Sequence, residues 1–275
     1  LFNAGRGSNL DWEGVATMDA SIMRGRDLGA GAVASVTDVR SPIHLARRIM
    51  ERCPHVFLSG PGAEAFAREV GIESTPNEWF VTERRLEALE VARARDAGGD
   101  GTPNTISGGG HRPPDVPAPE GRPDIAGTGG MKPAPEPTDF AGTVGAVALD
   151  ASGHIVAGTS TGGMANKKWG RIGDSPVIGA GTWASPRCGV SSTGWGEYFI
   201  RNAVAKDVDA RMEYLGVDLG EAARQVIHET LESQLPGLGG IVALDAHGNV
   251  EMAYNTAGMY RGWIDDEGSL EVGIF

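Results

Sequence analysis

The strongest constraint on what this chain can fold into is a segment in its middle that cannot pack. Residues 96–141 contain nine of the chain's 16 prolines and ten of its 42 glycines, and few of them are large and apolar. Such a segment buries too little apolar surface to offset the entropy lost on ordering it. We therefore predict a flexible linker over residues 96–142. Residues 1–95 and 143–275 are then two parts of one folded domain.

Charge and composition exclude several classes of protein. The net charge of −12 repels phosphate backbones, so we expect no nucleic-acid partner. No stretch approaches the roughly 18 consecutive apolar residues of a membrane-spanning helix, and we expect no membrane partner. Cys53 and Cys188 are the only cysteines and lie far apart, which argues against a zinc site and a disulfide framework.

The order of predicted strands and helices indicates the fold class. Strand patterns precede the linker, and the Ser-Pro pair at residues 41–42 starts a helix. The predicted strands cover residues 18–23, 30–36 and 56–60, with hairpins at 143–160 and 240–254 and helices at 196–210 and 219–234. Because strands and helices segregate rather than alternate, we expect a layered α+β sandwich rather than a doubly wound parallel sheet.

The sharpest candidate for chemistry is the bond between Gly142 and Thr143, where the linker meets a predicted strand. A threonine hydroxyl is a weak nucleophile and needs a base. If this bond is cut, Thr143 gains an α-amine whose pKa of about 7.7–8.0 suits it to act as that base. The other interpretation is a threonine that only begins a strand, where this residue type is common.

The turn after the hairpin is the second candidate. Thr159, Ser160 and Thr161 lie between glycines in residues 158–164, and the hairpin would bring this turn back beside Thr143. A polar turn with no chemical role would give the same sequence.

A glycine-rich loop at residues 170–176 is the third candidate. Arg171 could take an α-carboxylate through two hydrogen bonds, and Asp174 could take an α-ammonium, so the loop could bind a zwitterion. The alternative is an internal ion pair that closes the loop.

A fourth motif lies at residues 192–197, directly before a predicted helix. A hydroxyl and backbone N–H groups at a helix start could stabilise an oxyanion. An ordinary helix cap with Glu197 in the first turn is the alternative.

Together and in this order, the four motifs closely resemble the plant-type asparaginases, also called isoaspartyl peptidases. The resemblance covers nearly the whole chain except the linker. It is carried by residues 142–150, 159–164, 166–167 and 170–176, by residues 1–8 and 18–23 near the start, and by residues 255–261 near the end.

The resemblance implies a four-layer αββα sandwich of the N-terminal-nucleophile hydrolase type, with a threonine nucleophile. The precursor would cleave itself after Gly142. Thr143 would then attack the side-chain amide of L-asparagine or of a β-aspartyl peptide and form an acyl-enzyme. Thr161 would tune the nucleophile, and the Thr193 hydroxyl with the Gly194 N–H would form the oxyanion hole.

The resemblance also implies the substrate pocket and the assembly. Arg171 would bind the α-carboxylate and Asp174 the α-ammonium, as the loop itself suggests. The other implied pocket residues are Ile172, Gly173, Thr193, Gly194, Trp195, Gly196 and Asn3. No catalytic metal or other cofactor is expected, whereas backbone carbonyls near Phe2 and Ala4 would hold a structural sodium ion. The expected assembly is an (αβ)₂ dimer of cleaved chains.

Three departures from the family pattern accompany the resemblance. We expect the family's opening segment, a strand, a glycine-rich turn and a helix, to be missing from this sequence. Trp195 is bulky at a variable position of the pocket, and Ala257 stands where an acidic residue is common. A cytoplasmic location is expected, with periplasmic or secreted locations left open.

Two other functions compete with an asparaginase. Glycosylasparaginase shares the implied fold and mechanism but removes N-linked sugars from asparagine. The other is an inactive, unprocessed fragment that keeps the fold or serves as a binding module. The asparaginase and isoaspartyl peptidase function is the one that the motifs favour.

Overall fold

The computed structural model describes residues 2–98 and 142–275, and most of their strands belong to two β-sheets. The first sheet consists of β1 (Met18–Arg24), β2 (Gly29–Val36), β3 (Phe57–Ser59), β4 (Val144–Leu149) and β5 (Ile155–Thr161). Their order is β3-β2-β1-β5-β4, and all neighbours are antiparallel except β2 and β3. Since β5 pairs with β1, the parts before and after the predicted linker share one sheet.

The second sheet lies entirely after the predicted linker. It consists of β6 (Thr182–Ala184), β7 (Cys188–Gly194), β8 (Gly239–Asp245) and β9 (Val250–Glu251), antiparallel and in that order. A separate two-stranded hairpin, β10 (Arg261–Ile264) and β11 (Leu270–Gly273), follows it. Strands β4 and β5 of the first sheet contact β7, so the two sheets face each other.

The helices fall into two groups. Before the predicted linker are α1 (Pro42–Arg52), α2 (Gly60–Glu69), a 3₁₀ turn (Asn77–Trp79) and α3 (Glu83–Gly98). After it are α4 (Gly196–Asn202), α5 (Val204–Leu215), α6 (Leu219–Arg224) and a π-helical turn (Gln225–Leu231). Among the described residues, no helix has the length and apolar character needed to cross a bilayer.

Clusters of buried apolar side chains join these elements. One includes Leu45, Ile49 and Phe80 and packs helices α1–α3 on the first sheet. Another includes Phe199 and Ile227 and packs α4–α6 on the second sheet. A smaller cluster joins the two sheets and consists of Met23, Ile155, Ala157 and Ala184. The result is a mixed α/β architecture with helices and sheets segregated, in line with the predicted class.

Several predicted boundaries differ from the structure. The helix expected over residues 196–210 is broken at Ala203, which adopts a left-handed conformation with φ of +47°. Both halves pack on the same apolar cluster, and such packing overrides a continuous helical pattern. The helix expected over 219–234 becomes π-helical from Gln225. Sequence patterns did not predict β6, β7, β10 or β11.

Helix α3 extends to Gly98, beyond residue 96, where we placed the start of the linker. Asp96 accepts hydrogen bonds from Asn166 Nδ2 at 2.8 Å and from Lys168 Nζ at 3.1 Å. These bonds attach the end of the helix to the loop that follows β5. Residues 99–141, the rest of the predicted linker, lie outside the described residues.

Candidate active site

The hairpin of β4 and β5 brings Thr143 and Thr161 together. Its antiparallel register pairs Val144 with Ser160. Thr143, one residue before Val144, therefore lies opposite Thr161, one residue after Ser160. The hydroxyl oxygens of Thr143 and Thr161 are 3.1 Å apart, which is within hydrogen-bond distance. Thr161 is buried and Thr143 is half-buried.

Asparagine side chains from the start of the chain fix the turn that carries Thr161. The Thr161 hydroxyl oxygen accepts from the backbone N–H of Gly163 at 3.0 Å and from Asn3 Nδ2 at 3.4 Å. The carbonyl of Gly163 accepts from Asn3 Nδ2 and from Asn9 Nδ2, each at 2.7 Å. Asn3 Oδ1 in turn accepts from the Asn9 N–H at 2.6 Å. The orientation of Thr161 therefore depends on residues on the other side of the predicted linker.

Gly142, the residue before Thr143, occupies a conformation that suits only glycine. Its φ is +128°, and a Cβ there would lie 2.6 Å from the Asn3 nitrogen and Cβ. Its carbonyl oxygen accepts a hydrogen bond from the Asn3 N–H at 2.7 Å. The carbonyl of the Gly142–Thr143 peptide bond is thus polarised by a backbone N–H donor. The next residue, Thr143, is the one whose hydroxyl lies within hydrogen-bond distance of Thr161.

Arg171 is held by Glu197. Its Nε donates to Oε1 of Glu197 at 2.9 Å and its Nη2 to Oε2 at 2.8 Å, and only 17% of the arginine side chain is exposed. The sequence left open an ion pair within the loop, between Arg171 and Asp174. In the structure Arg171 pairs with Glu197 instead. Periodicity along the chain cannot detect the real partner, because Glu197 approaches the loop only through the packing of α4.

Asp174 lies beside this pair with one unfilled oxygen. Its Oδ2 is buried and has no hydrogen-bond partner among the described residues. Burial raises the pKa of the Asp174 carboxyl to about 7, against the lowering effect of the nearby Arg171 charge. A Cβ on Gly196 would lie 2.9 Å from both Arg171 Nη2 and Asp174 Oδ1, so a glycine there keeps the space between the two charges open.

Thr193 and Gly194 end strand β7, and Trp195 precedes α4. Trp195 occupies the cap position of α4 and makes no side-chain cap hydrogen bond, so Thr193 is not an ordinary helix cap. Gly194 has φ of +148°, and a Cβ there would lie 2.2 Å from the Leu238 carbonyl oxygen. The ring of Trp195 contacts Tyr198 edge-on, with 5.5 Å between ring centroids.

Two buried charges near the site were not singled out from the sequence. Lys167 Nζ donates to the carbonyls of Gly162, at 2.9 Å, and Thr17, at 2.7 Å. Burial lowers the pKa of Lys167, and the Asp19 charge opposes this effect. Burial likewise raises the pKa of Asp19 against the attraction of Lys167. A lysine and an aspartate separated by more than a hundred residues give no local signal that they meet.

The turn that contains Phe2 and Ala4 adjoins the same site. Asn3, between them, donates its N–H to Gly142, and its carbonyl accepts from the Gly162 N–H at 2.8 Å. Gly162 is tightly packed, since a Cβ there would lie 2.5 Å from Asn3 Oδ1. Within the described ranges, no group of three or more His, Cys, Asp or Glu side chains is placed to bind a metal ion.

The sequence model of the family described as Asparaginase matches residues 1–274. The chain belongs to the asparaginase family. The resemblance that the four motifs indicated is therefore confirmed, and the asparaginase family is a family of hydrolases.

Several relatives in the asparaginase family have names that state an activity. The chain is 42% identical to the probable isoaspartyl peptidase/L-asparaginase 2 of Arabidopsis thaliana, over all of this chain and 81% of that protein. It is 43% identical to the isoaspartyl peptidase of Escherichia coli strain K12, over 96% of this chain and 73% of that protein. It is 38% identical to the isoaspartyl peptidase/L-asparaginase of Rattus norvegicus, over 99% of this chain and 71% of that protein.

Proposed function

We propose that this chain is an autoprocessed amidohydrolase that cleaves L-asparagine and β-aspartyl peptides with Thr143 as its nucleophile. The observation that carries the proposal is the 3.1 Å separation of the Thr143 and Thr161 hydroxyls. Thr143 directly follows Gly142, whose carbonyl oxygen accepts a hydrogen bond from the Asn3 N–H. The names of the relatives support the two substrates. The packing of helices on two facing sheets supports a four-layer αββα sandwich of the N-terminal-nucleophile type.

The proposed maturation step is attack of the Thr143 hydroxyl oxygen on the carbonyl carbon of Gly142. The new C–O bond forms, the peptide C–N bond breaks, and the nitrogen takes the hydroxyl proton, which leaves an ester between the two residues. Water then hydrolyses the ester to a Gly142 carboxylate and a free Thr143 α-amine. The Asn3 N–H, 2.7 Å from the Gly142 oxygen, stabilises the negative charge that develops there.

In the cleaved protein the α-amine of Thr143 acts as the base for its own hydroxyl. The Thr161 oxygen has two lone pairs, and N–H groups of Gly163 and Asn3 already point at them. In the uncleaved chain the Thr143 hydroxyl donates to Thr161 Oγ1. Once Thr143 has given that proton to the α-amine, the Thr161 hydroxyl donates to Thr143 Oγ1 instead and stabilises the attacking oxygen. Ammonia, or the amine of the departing residue, leaves first. Hydrolysis of the β-aspartyl ester by water then releases aspartate.

Arg171 and Asp174 supply the charges that recognise a free amino-acid head. Glu197 fixes the orientation of the Arg171 guanidinium, which would bind the α-carboxylate. The unfilled Asp174 Oδ2 would accept from the α-ammonium. Gly173 and Gly196 leave room, because a Cβ on either would lie within 2.9 Å of the guanidinium. Substrates with a blocked α-amine or α-carboxylate should bind poorly.

The remaining proposed contacts lie at the end of β7, directly after it, and in the loop at residues 170–176. The Thr193 hydroxyl and the Gly194 N–H would donate to the substrate oxyanion. Trp195 and Ile172 are half-buried or exposed and would line the pocket toward the leaving group. The bulk of Trp195 would then limit the size of the departing residue.

The proposal includes a structural sodium ion and a dimer. Carbonyl oxygens near Phe2 and Ala4 are the neutral oxygen ligands that suit such a cation. Asn3 lies between them, so a sodium ion there would stabilise the position of a residue that contacts both Gly142 and Thr161. Activity in sodium-free buffer tests the ion, and sedimentation of the cleaved protein tests the (αβ)₂ assembly.

A denaturing gel with N-terminal sequencing tests the nucleophile. Wild-type protein should give two fragments, the second beginning Thr-Val-Gly, and should release aspartate from a β-aspartyl dipeptide. Thr143→Ala should leave one band near 28.7 kDa without hydrolysis, whereas Thr143→Ser, the matched control, should retain part of both. A second fragment that starts elsewhere, or full activity of the alanine variant, would refute the mechanism.

Substrate comparison separates the competing functions. Hydrolysis of glycosylated asparagine in preference to the β-aspartyl dipeptide would identify a glycosylasparaginase. A single uncleaved band of wild-type protein that hydrolyses neither compound would favour an inactive fragment.

A further inference from the structure

A chain of buried hydroxyl groups crosses the interface between the two sheets. It consists of Ser21 in β1, Thr159 in β5, Thr182 in β6 and Ser191 in β7, each no more than 3% exposed. The oxygens of Ser21 and Thr182 are 2.7 Å apart, those of Thr182 and Thr159 2.6 Å, and those of Thr159 and Ser191 2.6 Å. The two sheets therefore contact each other here through hydrogen bonds rather than through apolar side chains.

Thr159 is the centre of this chain. Its hydroxyl donates to the carbonyl of Gly181 at 2.9 Å. Its two lone pairs can then accept from Thr182 and from Ser191, so every hydrogen-bonding position of this hydroxyl is used. A buried hydroxyl with all three positions used fixes one geometry, because any shift leaves a buried polar group without a partner.

The strand registers place this network one step from the proposed catalytic groups. Gly145 pairs with Thr159 across the β4–β5 hairpin, and a Cβ on Gly145 would lie 2.1 Å from Ser191 Oγ. Gly145, Thr159 and Ser191 thus form one row across the interface. Because residues two apart in a strand share a face, the next row holds Thr143, Thr161 and Thr193.

We propose that Thr159 and Ser191 are positioning residues that set the separation between Thr193 and the pair Thr143 and Thr161. The inference rests on the proposed function, since it concerns the geometry of that reaction. A hydroxyl pair at 2.6 Å draws β7 closer to β5 than an apolar contact allows, since carbon atoms pack at about 3.5–4.0 Å. Replacement of the Thr159 oxygen by a methyl group would move the strands apart by about 1 Å, a displacement that can reduce catalysis roughly a hundredfold.

Ser21 extends the same network to the substrate loop. Its Oγ lies 2.6 Å from the carbonyl oxygen of Ser175, which directly follows Asp174, and its single proton can go to that carbonyl or to Thr182. Its contact is with the loop rather than with β7. Ser192 provides a control on β7 itself, because it lies on the opposite face and donates to the Ala180 carbonyl at 3.2 Å.

Steady-state kinetics of Thr159→Val and Thr159→Ser test the proposal, with a β-aspartyl dipeptide as substrate. The valine variant should lose about 10- to 100-fold in kcat with KM changed less than about threefold, because the contacts to the substrate head remain. The serine variant keeps the hydroxyl and should recover most of kcat. Ser192→Ala removes an equally buried hydroxyl from β7, the strand that carries Ser191, and should leave kcat within about twofold of wild type.

A double-variant cycle separates positioning from general destabilisation. If Thr159→Val and Ser191→Ala act through the same hydrogen bond, the double variant should lose no more kcat than the worse single variant. Additive losses, or a wild-type kcat in Thr159→Val, would overturn the positioning role. So would a loss in Ser192→Ala as large as in Thr159→Val.

The same experiment distinguishes the two levels of proposal. Wild-type protein that cleaves itself and hydrolyses the dipeptide, together with an unaffected Thr159→Val variant, would refute only the positioning inference. Wild-type protein that neither cleaves itself nor releases aspartate would refute the proposed function, and the positioning inference with it. If Thr159→Val does not fold, the Thr159→Ser and Ser191→Ala pair supplies the same comparison.

Discussion

Arg171 and Glu197 form a two-point ion pair, with N···O distances of 2.9 and 2.8 Å, although they lie in different structural elements. The guanidinium is mostly buried, and its Nη1 and Nη2 atoms lie beside Gly173 and Gly196. Glu197 therefore neutralises the arginine before substrate binds and also sets the plane in which a carboxylate can meet it. Substrate affinity should depend on a residue that need not touch the substrate.

Replacing Glu197 should weaken substrate binding more than it slows the chemical step. In Glu197→Gln the charge is lost and one acceptor becomes a donor that repels Arg171, so the guanidinium loses its fixed orientation. We expect KM for the dipeptide to rise about tenfold while kcat falls less than about threefold, as for a lost charged hydrogen bond of about 1.5 kcal/mol. Glu232→Gln, on an exposed helical turn with His228 as its partner, should leave both constants unchanged. A large loss of kcat at constant KM would contradict this role.

The pH dependence of kcat/KM should report Asp174. Because burial raises its pKa to about 7, the free carboxyl becomes charged only as pH rises through that value, and only the charged form binds an ammonium. The Thr143 α-amine, with a pKa of about 7.7–8.0, must also lose its proton. We therefore expect kcat/KM to rise with pH in two overlapping steps.

The pH profile of kcat should be shallower than that of kcat/KM. In the substrate complex the bound ammonium keeps Asp174 charged, so one of the two acidic steps disappears from kcat. Asp174→Asn should remove the same step from kcat/KM and raise KM by roughly 10- to 100-fold, as expected for a charged hydrogen bond of about 1.5–3 kcal/mol. Identical acid limbs for kcat and kcat/KM in the wild type would show that Asp174 does not titrate during binding.

Self-cleavage should require glycine at position 142. In Gly142→Ala the new Cβ would lie 2.6 Å from Asn3, at a φ of +128° that alanine rarely adopts. The residue should move and lose the Asn3 N–H contact to its carbonyl, so we expect cleavage to slow at least about tenfold, given a strain of about 1–3 kcal/mol. A time course on denaturing gels measures the rate. Gly153→Ala, also at positive φ but with open space around it, should cleave at the wild-type rate.

Sequence patterns predicted the parts of the site that lie close together along the chain. The turn between strands was enough to place Thr161 beside Thr143, because hairpin register follows from alternation and turn position. Arg171 and Asp174 share one loop and were found together. The partners that arrive from other layers, such as Glu197 and the Ser191–Thr159 pair, were not found. Their positions depend on how helix α4 and strand β7 pack, and no local pattern encodes that packing.

Lys167 should contribute to the stability of the fold because its buried ammonium compensates the buried carboxylate of Asp19. Its ammonium donates to the carbonyls of Gly162 and Thr17, and it attracts the buried Asp19. Lys167→Met would leave an uncompensated buried carboxylate, so we expect a loss of about 3–5 kcal/mol in the free energy of unfolding, measured with urea. Lys168→Met breaks only the partly exposed contact with Asp96 and should lose less than about 1 kcal/mol. Adding Asp19→Asn to Lys167→Met should recover part of the loss, and an additive further loss would show that the two charges do not compensate each other.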